Sequence, residues 1–378
     1  MILKYLKNRL VYLWVEVSKG GIVLKDSKTQ ILGILFNSQG LWTSLGGLIF
    51  SMIIGSIFIV ISGENILEVY NLLLIEPFSD MNSIMNVLFR STPVLITGLA
   101  CAIAFKSDIF NIGVEGQLYV GGFAAVWIGM IEFGIFSFLH IPIAILAAML
   151  AGGFWAGISG ILKVKFGVHE VLSTIMMNYI AISLINYLVI DIYRKPGSKP
   201  QTYDVTSSAV LPKINPPNQL NTGLFLGLAL VIIIYIILSK TPLGFELKSI
   251  GANPIAARFA GIESNKMIII VMVLSGAVGG IAGAEQVLGV YNAFKVGFSP
   301  GYGFDGIAVA LIGRNNPFGV LAAALLIGTF RYGGMLLSFN TNLPREWTMI
   351  IVSIMILFVA GSTILSQKLN EFLYERMA

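Results

Sequence analysis

Long apolar segments alternate with short polar ones along most of the chain. About 20 helical residues at 1.5 Å each are needed to cross the hydrocarbon core of a bilayer. Segments of roughly that length lie at 42–62, 83–105, 109–130, 142–162, 170–190, 223–239, 267–290 and 346–365. The pattern predicts an all-α fold, a polytopic integral membrane helix bundle with about eight transmembrane helices.

One further apolar stretch, 303–336, is interrupted by the sequence GRNNP at 313–317. Its first piece is too short to cross a bilayer alone. We therefore expect a re-entrant broken helix, which enters the membrane, turns at the interruption and returns to the side it came from. Two short crossings are the alternative, so the predicted number of transmembrane helices is about 8 to 10.

The positions of Lys and Arg predict the orientation, because cytoplasmic segments carry an excess of these residues. Placing both termini in the cytoplasm puts most of the 24 bases on the inside. The predicted domains are a basic cytoplasmic or interfacial segment at 1–41, a transmembrane domain at 42–366 with a cytoplasmic loop at 240–266, and a cytoplasmic tail at 367–378. A surface helix and a poorly ordered tail fit residues 1–40 about equally.

Composition supports a membrane protein and excludes several other classes. Of all residues 56% are hydrophobic and only 11% are charged, whereas soluble proteins carry about 25% charged residues. The single cysteine and two separated histidines form no metal-binding pattern. No hydrolase or phosphate-loop motif is present. We therefore expect no enzyme activity, no cofactor or ATP bound by this chain, and no nucleic-acid partner, since membrane orientation explains the net charge of +5.

Polar side chains inside the predicted spans are the candidate functional residues, because the bilayer tolerates such groups poorly. The third span opens with Asn111, Glu115 and Gln117. Asn111 and Glu115 are four residues apart, so on one helix they would share a face. A broken helix facing a solute path and the hydrated cytoplasmic end of an ordinary span are equally good interpretations.

Two more polar groups have the same status. Glu170, Thr174 and Asn178 recur every four residues, which predicts either a pathway face or a hydrogen-bonded seam between helices. Asp305, Arg314 and Asn315 surround the interruption in 303–336, where Asp305 and Arg314 could form an ion pair. Arg90 lies well inside the second span, but its long side chain could reach outward to the interface.

Four segments carry a resemblance to a known family. They are 110–117 (FNIGVEGQ), 167–179 (GVHEVLSTIMMNY), 251–258 (GANPIAAR) and 297–317 (GFSPGYGFDGIAVALIGRNNP). Over roughly 85–365 the chain resembles permease subunits of bacterial ATP-binding-cassette (ABC) importers of the branched-chain amino acid and simple-sugar group. Within that group it looks most like nucleoside permeases that pair with binding lipoproteins of the basic-membrane-protein type.

The resemblance implies a set of partners and a role for the 251–262 loop. Two permeases, identical or related, would sit on two ATPase subunits that bind ATP and Mg²⁺, and an extracytoplasmic lipoprotein would deliver the solute. The complex would lie in the bacterial plasma (inner) membrane. A short cytoplasmic helix would dock into the ATPase, with Ala256, Ala257, Phe259 and Ala260 on its docking face. The matching residues are Asn253, Pro254, Ala257, Arg258 and Phe259.

Other functions stay open at this point. A simple-sugar or branched-chain amino acid permease of the same group differs only in its solute. A secondary transporter driven by an ion gradient would also use broken helices near the midplane of the membrane. Against that class, the spans lack a convincing relay of carboxylates.

Overall fold

The computed structural model describes residues 52–341 apart from 62, 133 and 198, together with five isolated positions beyond 341. The predicted segments 1–41 and 367–378, and nearly all of the predicted last span at 346–365, lie outside the described residues. Within the described part the fold is helical, and its β-structure is limited to isolated bridges in the loops.

The helices follow the hydrophobic pattern closely. In chain order they are α1 (Met52–Ile61), α2 (Ile66–Tyr70), α3 (Met81–Phe105), α4 (Val114–Gly129), α5 (His140–Phe166), α6 (Glu170–Tyr187), α7 (Gly223–Lys240), α8 (Pro242–Ala252), α9 (Pro254–Phe259), α10 (Ser264–Gln286), α11 (Tyr302–Ile312) and α12 (Pro317–Asn340). Helices α6 and α10 each continue for one π-helical turn, at Leu188–Ile192 and Val287–Tyr291.

Six of the described helices are long and apolar enough to cross a membrane: α3, α5, α6, α7, α10 and α12, with α6 and α10 counted together with their π turns. This confirms the predicted membrane helix bundle. The third predicted span differs, because its helix begins at Val114 while residues 109–112 run as irregular backbone.

Three helices begin in the same way, with a capping side chain followed by proline. The pairs are Thr241-Pro242 at α8, Asn253-Pro254 at α9 and Asn316-Pro317 at α12. In each pair the first side chain accepts a hydrogen bond from the first turn, and proline suits the first helical position because no N–H is needed there. Asn253-Pro254 thus starts the short helix in the 251–262 loop.

Helices α4, α5 and α10 pack with their backbones in contact, and glycine makes this possible. A Cβ added at Gly280 of α10 would lie 2.1 Å from the Ala148 carbonyl oxygen of α5, and one at Gly283 would lie 2.0 Å from the Leu118 carbonyl oxygen of α4. Small residues suit helix contacts in lipid, where close van der Waals packing replaces the hydrophobic effect as the driving force.

Replacing Gly280 with alanine is therefore expected to force α5 and α10 apart. Overpacking of this kind costs roughly 1–3 kcal/mol, and the obstructing atom here is backbone that has no rotamer to change. Thermal unfolding of the purified protein in detergent should show a lower midpoint. The matched control is Gly227→Ala on α7, where the new Cβ would lie 3.3 Å from the end of the flexible Leu95 side chain. Equal midpoints for the two variants would contradict the expectation.

Helices α11 and α12 form a helical hairpin at the predicted interruption, and we name it the re-entrant hairpin. Its return to the side of the membrane from which it came stays a prediction. Both helices pack on α3, and α12 runs antiparallel to it, since Gly98 of α3 lies beside Val320, whereas Ser83, near the start of α3, hydrogen-bonds Tyr332. The turn at 313–316 joins the two helices through Arg314 and Asn315, both in the left-handed region. The interruption read from the sequence is thus a tight turn at one end of a helical hairpin.

Among the described residues, the polar connections at 106–108, 163–169 and 240–266 lie at one end of the bundle. A Cβ at Gly251 would lie 2.5 Å from the Lys106 carbonyl oxygen, and Gly160, near the end of α5, packs against Ile269, near the start of α10. We name this the coupling end. The opposite, outer end carries 193–222 and 292–300. The cytoplasmic location of the coupling end stays a prediction.

Candidate functional site

The irregular segment before α4 is held by buried amide side chains. Asn111 accepts a hydrogen bond from the Gly113 N–H at 3.0 Å and exchanges two bonds with the Gln117 amide at 3.0 and 3.1 Å. Its Nδ2 also donates to Ser275 Oγ of α10 at 2.8 Å. Because the polar atoms of Asn111 have partners within the chain, the residue joins the broken start of α4 to α10.

Helix α6 holds the same segment from the other side. Asn178 accepts from the Gly116 N–H and donates to the Ile112 carbonyl, each at 2.8 Å, and Thr174 accepts from the Ile112 N–H at 3.3 Å. Backbone groups released from a helix inside a membrane must be satisfied by neighbours. Of the two interpretations of this polar stripe, the contacts match the hydrogen-bonded seam.

Replacing Asn178 with alanine should therefore lower the stability of the folded protein. The change leaves the Gly116 N–H and the Ile112 carbonyl without partners, and each such buried group costs about 1–3 kcal/mol. We expect a lower midpoint of thermal unfolding in detergent, with Tyr179→Ala as control, since the neighbouring Tyr179 side chain is exposed. An unchanged midpoint would show that water or lipid replaces the lost bonds.

Glu170 lies apart from this seam, at the coupling end. Its carboxylate forms an ion pair with Lys163 at 2.6 Å, and the nearer atom of His169 is 3.7 Å away. Thr174 contacts Glu170 only through the Glu170 backbone carbonyl, at 2.7 Å. The ion pair joins the last turn of α5 to the first turn of α6.

Glu115 connects α4 to the re-entrant hairpin. Its carboxylate accepts a hydrogen bond from the Gly303 N–H at 2.7 Å, in the first turn of α11. A carboxylate is favoured at a helix N-terminus, where N–H groups lack helical partners. Asn111 precedes α4 and bonds elsewhere, so the expected common helical face of Asn111 and Glu115 is wrong.

Asp305 of α11 forms an ion pair with Arg331 of α12. Each side chain keeps about 20% of its surface accessible, and the Arg331 guanidinium lies 5.2 Å from the centre of the Tyr302 ring. The expected pairing of Asp305 with Arg314 is therefore wrong. A charged pair of this kind is suited to contact with a polar solute or with another protein and not with lipid.

Arg314 and Asn315 lie in the 313–316 turn, at the end of α11 away from Asp305. Arg314 is exposed, and Asn315 Oδ1 is buried without a hydrogen-bond partner among the described residues. The structure thus separates these two residues from Asp305.

Helices α8 and α9 form the connection between α7 and α10 at the coupling end, outside the six candidate spans. Asn253 Oδ1 accepts from the N–H groups of Ile255 and Ala256, both at 3.0 Å, which fixes the start of α9. At the same end of the bundle the pKa of Lys106 is lowered, first by burial and second by the neighbouring charge of Lys248. Both disfavour the charged form of its ammonium group.

The solvent-exposed face of α9 is strongly apolar. Phe259 is 90% exposed and Ile255 is 69% exposed, and together with Pro254 and Arg258 they line a pocket of ≈ 350 Å³. Ala257 is only 4% exposed and faces the bundle. This corrects the expected docking face at Ala257, whose side chain attaches α9 to the rest of the protein.

At the outer end, the 193–222 loop is bound to the segment that leads into α11. Backbone hydrogen bonds of 2.9–3.0 Å join Val205 to Asn292, Thr202 to Phe294 and Leu211 to Leu288. His140, at the start of α5, hydrogen-bonds Ser208 at 2.8 Å. The long polar loop is therefore an ordered cover over this end of the bundle.

Comparison with known proteins decides the family. A family model described as "Branched-chain amino acid transport system / permease component" matches residues 83–360. The chain belongs to this family. The match covers α3 to α12, so the permease carries the hairpin, the amide seam and the α8–α9 connection within the family's own region.

Curated relatives align over most of the permease. The guanosine ABC transporter permease protein NupP of Bacillus subtilis is 39% identical over 83% of this chain and 91% of its own length. The nucleoside ABC transporter permease protein NupB of Lactococcus lactis is 32% identical over 86% and 92%. The glucose ABC transporter permease protein TsgB13 of Haloferax volcanii is 31% identical over 82% and 85%.

Several residues of the permease site were missed in the sequence. Arg331 has the clearest signal, a lone base in the apolar run TFRYGG. Ser275 and Lys163 gave no comparable signal, because a serine in a span and a lysine at its end are both ordinary. Their importance arises from Asn111 and Glu170, which other helices bring to them.

Proposed function

We propose that this permease is the membrane-spanning subunit of an ABC importer that takes up nucleosides across a bacterial plasma membrane. Similarity to NupP and NupB over more than four-fifths of the chain supports the solute class. The observation from the structure that supports the ATP-driven mechanism best is the exposed apolar face of α9, outside the candidate spans.

That face suits a protein partner on the cytoplasmic side. An apolar surface that protrudes into water marks an interaction site, and Phe259 with Ile255 would fill a cleft of the ATPase. In this proposal α9 transmits movement between the two proteins. The ATPase binds ATP and Mg²⁺ and performs the hydrolysis, and this chain supplies the pathway without enzyme activity or a cofactor of its own.

We propose different roles for the polar residues of the pathway. Asp305 and Glu115 belong to the hairpin and its anchor, so they line or shape the route of the solute. Asn111, Gln117, Thr174 and Asn178 form the frame that keeps α4 broken. Glu170 holds α5 and α6 together at the coupling end through its ion pair with Lys163. Arg314 and Asn315 form the turn of the hairpin at the edge of the pathway.

The remaining partners follow from the same proposal. A second permease, identical or related, completes the pathway, and an extracytoplasmic lipoprotein docks at the ordered 193–222 cover. The similarity to TsgB13 favours a second candidate solute class, simple sugars. A nucleoside contains a ribose, so the two classes share hydroxyl groups and differ in the base.

Uptake of labelled guanosine tests the proposal directly. The permease would be expressed with its partner subunits in a bacterium that lacks nucleoside uptake. We expect ATP-dependent uptake that excess adenosine or inosine reduces and that glucose, ribose or leucine leaves unchanged. Inhibition by glucose alone would favour the sugar permease, and uptake by the isolated chain in proteoliposomes with only an ion gradient would favour a secondary transporter.

A further inference from the structure

Arg90 is a guanidinium inside a membrane span without an acidic partner among the described residues. It follows the first residue of α3, Met81, by nine positions, which places it about 13 Å along the helix. Its one hydrogen bond runs from Nη2 to the Met335 sulfur of α12, at 2.7 Å. Its buried Nε–H has no partner in the part of the chain that the structure describes.

The carboxylates of this region are engaged elsewhere. Asp305 pairs with Arg331, and Glu115 accepts from the Gly303 N–H. Glu285 of α10 is buried and accepts from Asn221 at 2.8 Å and from Gln286 at 2.7 Å. Arg90 thus keeps free donors in a place where an unpaired charge is costly.

An aromatic ring lies beside these donors. The Tyr332 ring centre is 6.0 Å from the Arg90 guanidinium. Arg331 lies in the same way 5.2 Å from the centre of the Tyr302 ring. Two cations, each beside a phenol ring of the hairpin, suit a flat, electron-rich solute that offers acceptor atoms on one edge.

We propose that Arg90 determines specificity by reading the O6 and N7 edge of 6-oxopurine nucleosides, such as guanosine and inosine. The inference rests on the proposed nucleoside transport and names the part of the base that the pathway selects. A guanidinium presents parallel N–H donors that match two adjacent acceptors. Adenine presents an amino donor beside N7, which faces the donors of Arg90 and leaves one bond unmade.

The geometry of the pair predicts which nucleosides Arg90 distinguishes. Inosine has the O6 and N7 acceptors without the 2-amino group, so it should behave like guanosine. The ribonucleoside of 2-aminopurine has the 2-amino group without O6, so it should behave like adenosine. The ribose is common to all four, and differences among them therefore report on the base.

Uptake by the complete importer with Arg90→Gln, compared with the unsubstituted importer, tests the inference. The same binding lipoprotein serves both, so a change in the ratio between nucleosides arises in the permease. We expect guanosine and inosine uptake to fall about tenfold more than adenosine and 2-aminopurine riboside uptake, the value of one good bidentate contact. Lys165→Gln, a loss of charge at an exposed position of the coupling end, is the control and should leave the ratio unchanged.

Arg90→Lys is the second variant, because it keeps the charge and loses the fork. We expect Arg90→Lys to lose the discrimination between nucleosides as Arg90→Gln does, and to assemble with the partner subunits better than Arg90→Gln. An equal fall for all four nucleosides in both variants, or an unchanged ratio, would overturn the role of Arg90. If the unsubstituted importer takes up no nucleoside, the proposed function fails and the role of Arg90 in base selection fails with it.

Discussion

Arg331→Leu is expected to reduce nucleoside uptake to a small fraction of its normal value. The substitution leaves the Asp305 carboxylate without its ion-pair partner, inside the re-entrant hairpin. Removing one member of a fully buried pair destabilises a protein by about 3–5 kcal/mol, because the remaining charge stays desolvated. The Asp305–Arg331 pair keeps about 20% of its surface accessible, so that range is its upper limit. Uptake of labelled guanosine and copurification of the partner subunits would be measured on the same membranes.

A double variant separates a pathway role of the pair from a structural one. Asp305→Leu combined with Arg331→Leu removes both charges, and apolar replacement of a whole buried pair is often neutral for stability. We expect copurification to recover while uptake stays low, since the solute then no longer meets the charges of Asp305 and Arg331. Recovery of full uptake in the double variant would show that the pair serves the fold alone.

Phe259→Ala is expected to uncouple the permease from its ATPase. The ring is 90% exposed, so its removal should leave the fold of this chain intact. An aromatic residue that fills a pocket at an interface contributes roughly 2 kcal/mol or more, about a thirtyfold change in affinity. Copurification of the ATPase and ATP-driven uptake should both fall.

The control for this experiment is Phe225→Ala on α7. Phe225 is 59% exposed but lies within a candidate span, close to its outer end. It therefore presents the same ring to lipid or to the second permease and not to the ATPase. Equal retention of the ATPase by the two variants would refute the docking role of α9.

The spans were predictable because length and apolarity decide them locally. The start of α4 stayed open between a broken helix and an ordinary span, because residues 109–112 are compatible with either in sequence. They run as irregular backbone where Asn178 and Thr174 of α6 bind the carbonyl and N–H groups of Ile112. That competition involves residues more than 60 positions away, and hydrophobic periodicity contains no information about it.

The partner of Asp305 illustrates the same limit. Arg314 is nine residues away, which on a continuous helix is about 13 Å along the axis. The turn at 313–316 carries Arg314 to the far end of α11, and α12 then brings Arg331 back to the level of Asp305. The interruption was visible in the sequence, but the residue of α12 that lies opposite Asp305 was not.

The orientation of α9 was also beyond the sequence. This helix has 6 residues, fewer than two turns, and its small residues suit either face. Packing against α10 decides that Ala257 turns inward and Phe259 outward. The sequence supported a short docking helix at the right place, and tertiary contacts determined which side chains it offers.

The exposed apolar side chains at the coupling end also affect how the cell handles this subunit before assembly. Phe245, Ile255 and Phe259 are each more than two-thirds exposed, at 68%, 69% and 90%. An unassembled copy would display them to chaperones and proteases, which recognise exposed apolar surface. We therefore expect the lifetime of newly made subunits to depend on the supply of ATPase, so that the stoichiometry of the complex is adjusted by degradation of the surplus.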